Sequence, residues 1–217
     1  GADLHVVKAD SWRSKAARAE RAEALKAGST PLLEAEYSQV LDMRDALAAH
    51  PIAGPLFARE DRVCETSLYW DDPDTGVACR ARPDWWSADR RLIVDLKTTS
   101  RSAAPTEFGR TAAVLGYHLQ AAWYLQGVQA IVGVEAAFVH VVQETAPPHL
   151  VSVVQLDAEA LQVGAEQAHR ARSLYARCQE TGRWPGYPPT VHSVHLPGWY
   201  LAQHDMAEEA AEEGALS

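Results

Sequence analysis

Residues 82–99 read R-P-D-W-W-S-A-D-R-R-L-I-V-D-L-K-T-T, and the reading of this stretch decides the fold. Leu92-Ile93-Val94 is an aliphatic and β-branched run that ends in Asp95-Leu96-Lys97. The residues before Ser87-Ala88-Asp89-Arg90 alternate as well, so the two halves are expected to pair as a hairpin across a short polar turn. Side chains along a strand repeat every two residues. Asp95 and Lys97 therefore share one face, Leu96 takes the other, and Asp84 on the neighbouring strand comes within cross-strand reach.

Two carboxylates converging at a strand end repel each other unless a cation lies between them, and hard oxygen ligands with water completing the shell suit magnesium or manganese. An ammonium two residues away can orient or deprotonate an attacking water and then stabilise negative charge building up on phosphorus. Taken alone, the triplet fits an exposed ion pair on a surface hairpin at least as well, since such pairs contribute little and short motifs recur by chance.

Two other stretches shift that balance. Val63 to Trp70 alternates as a strand with Val63, Glu65, Ser67 and Tyr69 on one face, and an acid in an apolar strand needs a partner or a metal. Further on, Tyr117, Gln120 and Tyr124 fall at i, i+3 and i+7, so one helical face can present all three. Aromatics at that spacing are as readily core as site. A glutamine between them is harder to explain as core.

The set resembles the PD-(D/E)xK nuclease superfamily, with Pro83-Asp84 and Asp95-Leu96-Lys97 as its two signature pieces and Gln120…Tyr124 as the Q-x-x-x-Y helix motif of one branch. The order Glu65, Trp70-Asp71, Thr75-Gly76, Cys79 to Asp84, Asp95 to Thr99, Gly116-Tyr117, Gln120 and Tyr124 is similar to the RecE-like, exodeoxyribonuclease VIII-type nucleases of phages and prophages, from about Trp12 to about Trp199. The resemblance implies an α/β fold, a restriction-endonuclease-like core whose central mixed sheet of about five strands is flanked by helices. It implies a magnesium-dependent exonuclease on double-stranded DNA ends, with manganese as a substitute, acting in recombination or end resection. Asp84, Asp95, the Leu96 carbonyl and Glu65 would hold metal. Lys97 would activate water, Gln120 would orient Lys97 or that water, and Tyr124 would complete the catalytic set. A single-strand annealing partner and a ring-shaped homo-oligomer are implied by resemblance alone. A structure-specific or restriction-like endonuclease on the same core, or a DNA-binding protein that has lost the chemistry, are the alternatives. The resemblance also implies an upstream helix with a Gly-x-x-x-His motif. His5 follows Gly1 at that spacing but leads into Val6-Val7-Lys8, so the chain is read as N-terminally truncated relative to the family.

With 217 residues and 47% apolar content, the chain can bury one good core, and residues 1–200 are expected to form one nuclease domain followed by an acidic Ala/Glu tail over 201–217. Without an apolar run long enough to span a bilayer or a charged-then-apolar leader, a soluble cytoplasmic protein is expected. Cys64, Cys79 and Cys178 are odd in number and widely spaced, which excludes a disulfide framework and falls short of the four ligands of an iron–sulfur cluster. The net charge of −9 runs against DNA binding, but Asp205, Glu208, Glu209, Glu212 and Glu213 concentrate five negative charges at the C-terminus. Arg80, Arg82, Arg90, Arg91, Lys97, Arg101 and Arg110 are expected to crowd the site.

Among the helices, Ser11 is expected to cap one from Trp12 to about Ala27. A second, from Glu34 to Ala49, is expected to bury Tyr37, Val40, Leu41, Leu47 and Ala48. One strand from Val77 to Trp85 should deliver Asp84. Ala136 to Gln143 and Leu150 to Leu156 read as an antiparallel pair, and Asp157 caps a long helix to about Cys178. Trp184 to Pro189 should form a rigid non-helical segment with Trp199 and Tyr200 packed on it, and the tail beyond Leu201 a loose helix or disorder.

Overall fold

The hairpin expected from residues 82–99 is present in the computed structural model, which describes residues 3–215, with side chains to residue 206. β6 (Trp85–Ser87) pairs antiparallel with β7 (Leu92–Thr99). Ile93 and Val94 have no exposed surface, so β7 is covered on both faces, as a continuous aliphatic run should be.

β7 also pairs in parallel along its whole length with β8 (Ala137–Glu144), and β8 pairs antiparallel with β9 (Val151–Val154). β3 (Arg62–Cys64) adds to β6 at the other edge, giving a mixed five-stranded sheet in the order β3-β6-β7-β8-β9. Parallel neighbours need a long crossover. Here it is α4 (Pro105–Leu115) and α5 (Tyr117–Val132), separated by Gly116 at φ 73°. The crossover is two helices because a glycine in the left-handed conformation caps α4 and turns the chain before the helix that carries Tyr117, Gln120 and Tyr124.

Alternation on β7 sorts the two layers. Ile93 packs with Trp86, Phe138 and the α5 residues Ala121 and Val128. Val94 points the other way, into a cluster with Trp85, Val141 and Ala53 of α3 (Ala53–Ala58), flanked by Leu47 of α2 (Glu34–Ala49). Asp95 and Lys97 share the α5 side with Ile93. The helix periodicity of α2 overstated its burial: Val40 is 46% exposed, and no α2 residue is fully buried. Polar bonds hold α2 instead, with the Gln143 amide donating to the Met43 carbonyl at 2.7 Å and the Gln39 amide to the Thr145 carbonyl at 2.7 Å.

Two expected strands break. Val63 to Trp70 divides into β3 and β4 (Leu68–Asp71), because the backbone turns at Glu65, whose φ is +52°. Val77 to Trp85 divides into β5 (Ala78–Ala81) and β6 at Pro83, which has no N–H to give to a ladder. β4 and β5 consequently pair with each other in a separate two-stranded sheet, joined by a turn in which Asp72 accepts from the Thr75 N–H and hydroxyl. The N-terminal β1 (Leu4–Val7) lies parallel to β2 (Thr30–Leu33) through α1 (Lys15–Lys26). Ser14, not Ser11, caps α1, its hydroxyl accepting from the Ala17 N–H at 3.0 Å.

α6 (Ala158–Thr181) starts where expected, with Asp157 accepting from the Ala160 N–H at 2.8 Å. The residues up to Thr181 form one unit and those from Gly182 a second. In the second, residues 182–197 carry no helix or strand, and α7 (Gly198–Ala215) is helical, one of the two states expected for the tail; Trp199 stays 65% exposed. Residues 216 and 217 of the expected tail lie outside the described residues. The three cysteines are free, Cys64 exposed and Cys79 and Cys178 buried. Among the described residues, no helix is long and apolar enough to cross a membrane.

The α5–α6 contact is unusually close. A Cβ on Gly164 would lie 2.3 Å from the His118 carbonyl oxygen of α5, and backbone cannot step aside as a side-chain tip can. Gly164→Ala is expected to lower unfolding stability by about 3 kcal/mol, read from urea midpoints, through displacement of α6 from α5.

Candidate active site

Asp95 leaves β7 on the α5 side with only 2% of its surface exposed. One carboxylate oxygen accepts from the Gln120 amide at 3.0 Å, and the other faces the Lys97 ammonium at 2.5 Å. Burial pushes the Asp95 carboxyl above its ordinary range; Lys97 pulls it back down, Asp84 raises it and Gln120 lowers it. Gln120, expected to orient Lys97 or the attacking water, holds Asp95 among the described residues.

Asp84 lies half-buried in the break between β5 and β6, where its carboxylate accepts the Leu96 N–H at 2.8 Å. That bond ties the Pro83-Asp84 corner to the middle of the Asp95-Leu96-Lys97 triplet across the hairpin. Lys97 is largely covered, its ammonium 4.7 Å from the Tyr117 ring centre. Tyr117 stacks in turn against Phe108.

His140 was not foreseen. It lies directly opposite Asp95 in the β7–β8 register and is fully buried among Phe108, Tyr117 and Phe138, with neither ring nitrogen hydrogen-bonded among the described residues. Burial, helped by the Lys97 charge, lowers its pKa to about 4, so the ring is neutral beside the ammonium. A polar residue inside the apolar Phe138-Val139-His140-Val141-Val142 run was the signal that could have found it.

Other residues expected at the site stand apart from the reacting groups. The Tyr124 hydroxyl donates to the Arg82 carbonyl at 3.2 Å, which makes Tyr124 a support of the backbone leading to Asp84. Glu65 donates its N–H to the Asp84 carbonyl at 3.0 Å, but its carboxylate is engaged by the Arg82 guanidinium at 2.6 Å and is more than half exposed. His5 lies on β1 and contacts Glu20 of α1 at 2.9 Å; Gly1 lies outside the described residues. Of the expected basic crowd, Arg90 stacks over Trp86 at 4.2 Å at the turn end of β7, and Arg91 lies beside it, both some 20 Å of extended chain from Lys97. Arg101 and Arg110 do border the site. They line a cleft of about 610 Å³ with Thr98 and Thr99, residues that also line a smaller hollow at Lys97.

The donor chemistry fits a hard divalent cation. Asp95 is buried beside a single ammonium, and Asp84 lies close enough to raise its pKa further, so a second positive charge would relieve both the burial and the mutual repulsion. Among the described residues, no three His, Cys, Asp or Glu side chains converge. Asp84, Asp95 and the Leu96 carbonyl would hold such an ion with water filling the rest, the manner in which magnesium is usually bound.

Residues 4–195 match the family described as a PDDEXK-like domain of unknown function, and the chain belongs to that family. The fold is similar to a solved structure from Eubacterium rectale titled "Putative exonuclease", with TM-score 0.58 and 12% identity over 85% of this chain and 73% of that one. A second solved structure, SSO0001, aligns at TM-score 0.34 with 13% identity over 63% of this chain and 59% of its own, too loosely to carry an argument. Among curated proteins, none matches significantly in sequence.

His140 makes acid sensitivity specific. Its pKa falls from about 6.5 unfolded to about 4 folded, so the stability of the neutral buried ring is full above pH 6.5 and is lost as pH falls toward 4. Compared with His140→Leu, the wild-type protein should lose up to about 3 kcal/mol of stability over that interval. Urea midpoints of both proteins at stepped pH provide the measurement. Asp95, whose pKa is raised, works with the opposite sign: compared with Asp95→Asn, the wild-type protein should gain stability as pH falls through that raised pKa.

Proposed function

We propose that this protein hydrolyses phosphodiester bonds of DNA with the help of a divalent metal, magnesium by preference and manganese as a substitute. The observation that carries this reading is Asp95: a carboxylate with 2% exposure, gripped by Lys97 and Gln120 and set beside Asp84. Structural ion pairs have no need of a second acid whose charge opposes burial of the first. A metal site does.

When bound, the ion would polarise the scissile phosphate and lower the pKa of a water. The residues of the chain do the rest. Asp84 and Asp95 fix the ligand oxygens, Asp84 through its grip on the Leu96 N–H and Asp95 through Gln120. Lys97 positions the attacking water and stabilises negative charge on the phosphoryl oxygens in the transition state. Tyr117 supports that ammonium from beneath, and neutral His140 adds no competing charge. Glu65 would join the ligands only on leaving Arg82.

The likeness to RecE-type nucleases supports the finer reading, an exonuclease on double-stranded DNA ends that serves recombination or end resection beside a single-strand annealing protein, with a ring-shaped homo-oligomer as its assembly. The test is incubation of linear and covalently closed circular duplex DNA with protein and magnesium. Degradation of the linear form alone supports the exonuclease; nicking or cutting of the circle favours an endonuclease on the same core.

Lys97→Ala and Asp95→Asn should each lower the cleavage rate by about 100-fold or more while the circular dichroism of the protein is retained. Activity within about tenfold of wild type in either would overturn the assignment. Calcium should bind without supporting turnover, since its larger and looser shell misplaces the water, and excess chelator should stop cleavage.

A further inference from the structure

β5 carries a feature that the chemistry above does not use. Side chains alternate along the strand and into the residue after it, with Cys79 and Ala81 buried and Arg80 and Arg82 exposed. The backbone is suspended from α5 at those same two arginines: the Trp123 indole N–H donates to the Arg80 carbonyl at 2.9 Å, and the Tyr124 hydroxyl to the Arg82 carbonyl at 3.2 Å. Two guanidinium groups are thereby presented side by side from a fixed backbone. They line a cavity of about 310 Å³ with Ser67, Ala81 and Tyr124. Arg80 forms no ion pair among the described residues. Arg82 has one, to Glu65.

We propose that this cavity is a phosphate subsite for the nucleic-acid strand, filled by a backbone phosphate next to the scissile one, and that the incoming phosphate takes Arg82 from Glu65. The proposal rests on the nuclease reading for the identity of the strand. Three observations support it. Guanidinium pairs match phosphate oxygens in geometry and charge, and here they lie two and four residues before Asp84, one strand break from the scissile position. The cavity is lined by four polar residues and Ala81 and is open to solvent, since Arg80 and Arg82 are both exposed. Finally, the carboxylate that now neutralises Arg82 belongs to Glu65, whose own N–H is bonded to the Asp84 carbonyl. Glu65 thus has its backbone tied to the Asp84 corner while its carboxylate faces the Arg82 guanidinium, so release from Arg82 is what would free it to turn toward a cation at Asp84 and Asp95.

The exchange is reciprocal. A phosphate on Arg82 leaves Glu65 without its partner and available to the metal side, and a metal that draws Glu65 away leaves the cavity with two unneutralised arginines. Each ligand should tighten the other by the same factor.

The probe is a fluorescein-labelled 20-base-pair DNA duplex, its binding read by anisotropy in chelator, where no cleavage is expected. Arg80→Gln should weaken binding about tenfold and reduce the slope of log affinity against log salt by about one. Glu65→Gln should tighten binding several-fold, since it removes both the competitor for Arg82 and a negative charge. An ion pair with only a structural role gives the reverse pattern: Glu65→Gln loses thermal stability and leaves affinity and salt slope where they were. Calorimetric titration of magnesium adds a second measure. Arg82→Gln should bind the ion more tightly than wild type without DNA. In the Lys97→Ala background, which blocks cleavage, the duplex should tighten magnesium binding several-fold, and adding Arg82→Gln should abolish that gain. Wild-type affinity and salt slope in both Arg80→Gln and Glu65→Gln, or a wild-type protein that does not bind the duplex, overturns the subsite. Should the subsite shifts appear in a protein that cleaves neither linear nor circular DNA, the subsite stands and the nuclease reading fails.

Discussion

A carboxyl group almost without solvent contact is the constraint around which this structure is arranged. Asp95 sits on a strand whose neighbours Ile93 and Val94 are wholly buried, so any charge it carries emerges directly from the core. Removing such a group from water is tolerable only where hydrogen bonds and opposite charge replace the lost solvation. Each surrounding element supplies one replacement. β7 brings Lys97 two residues along, α5 brings Gln120, and the β6 side brings Asp84, which fixes the Leu96 backbone that the two acids flank.

The same neighbourhood sets two titrations against each other. Asp95 resists losing its proton because it is buried, and His140, opposite it in the sheet, resists gaining one for the same reason. A charged imidazole there would face the Lys97 ammonium with no acid free to balance it. Enclosure by Phe108, Tyr117 and Phe138 keeps it neutral, and the electrostatics of the pocket are left to Lys97, Asp84 and Asp95.

The core of this arrangement could be read from the chain because it depends on short-range pattern. The period of two placed Asp95 and Lys97 on one face, and the aliphatic run before them marked a doubly covered strand. The antiparallel pair that follows and the Asp157 cap are local for the same reason. What escaped depends on events that periodicity does not encode. Alternation from Val63 to Trp70 persists straight through Glu65, yet the backbone there turns left-handed, and nothing in the pattern distinguishes that residue from a strand acid. Arg90 and Arg91 are near Lys97 in sequence but at the opposite end of β7, a matter of strand length. His140 joins the site only through a parallel pairing that spans the α4–α5 crossover, a contact between residues 45 apart in the chain.

The distribution of thiols gives the molecule a built-in reporter. Cys79 and Cys178 are buried, whereas Cys64 is exposed and lies one residue before Glu65, at the point where the chain leaves β3. A maleimide dye should therefore attach at Cys64 in preference to the other two without any cysteine having to be introduced or removed. Placed beside the left-handed turn, its emission would register motion of the Glu65 backbone in real time, in stopped flow as readily as at equilibrium.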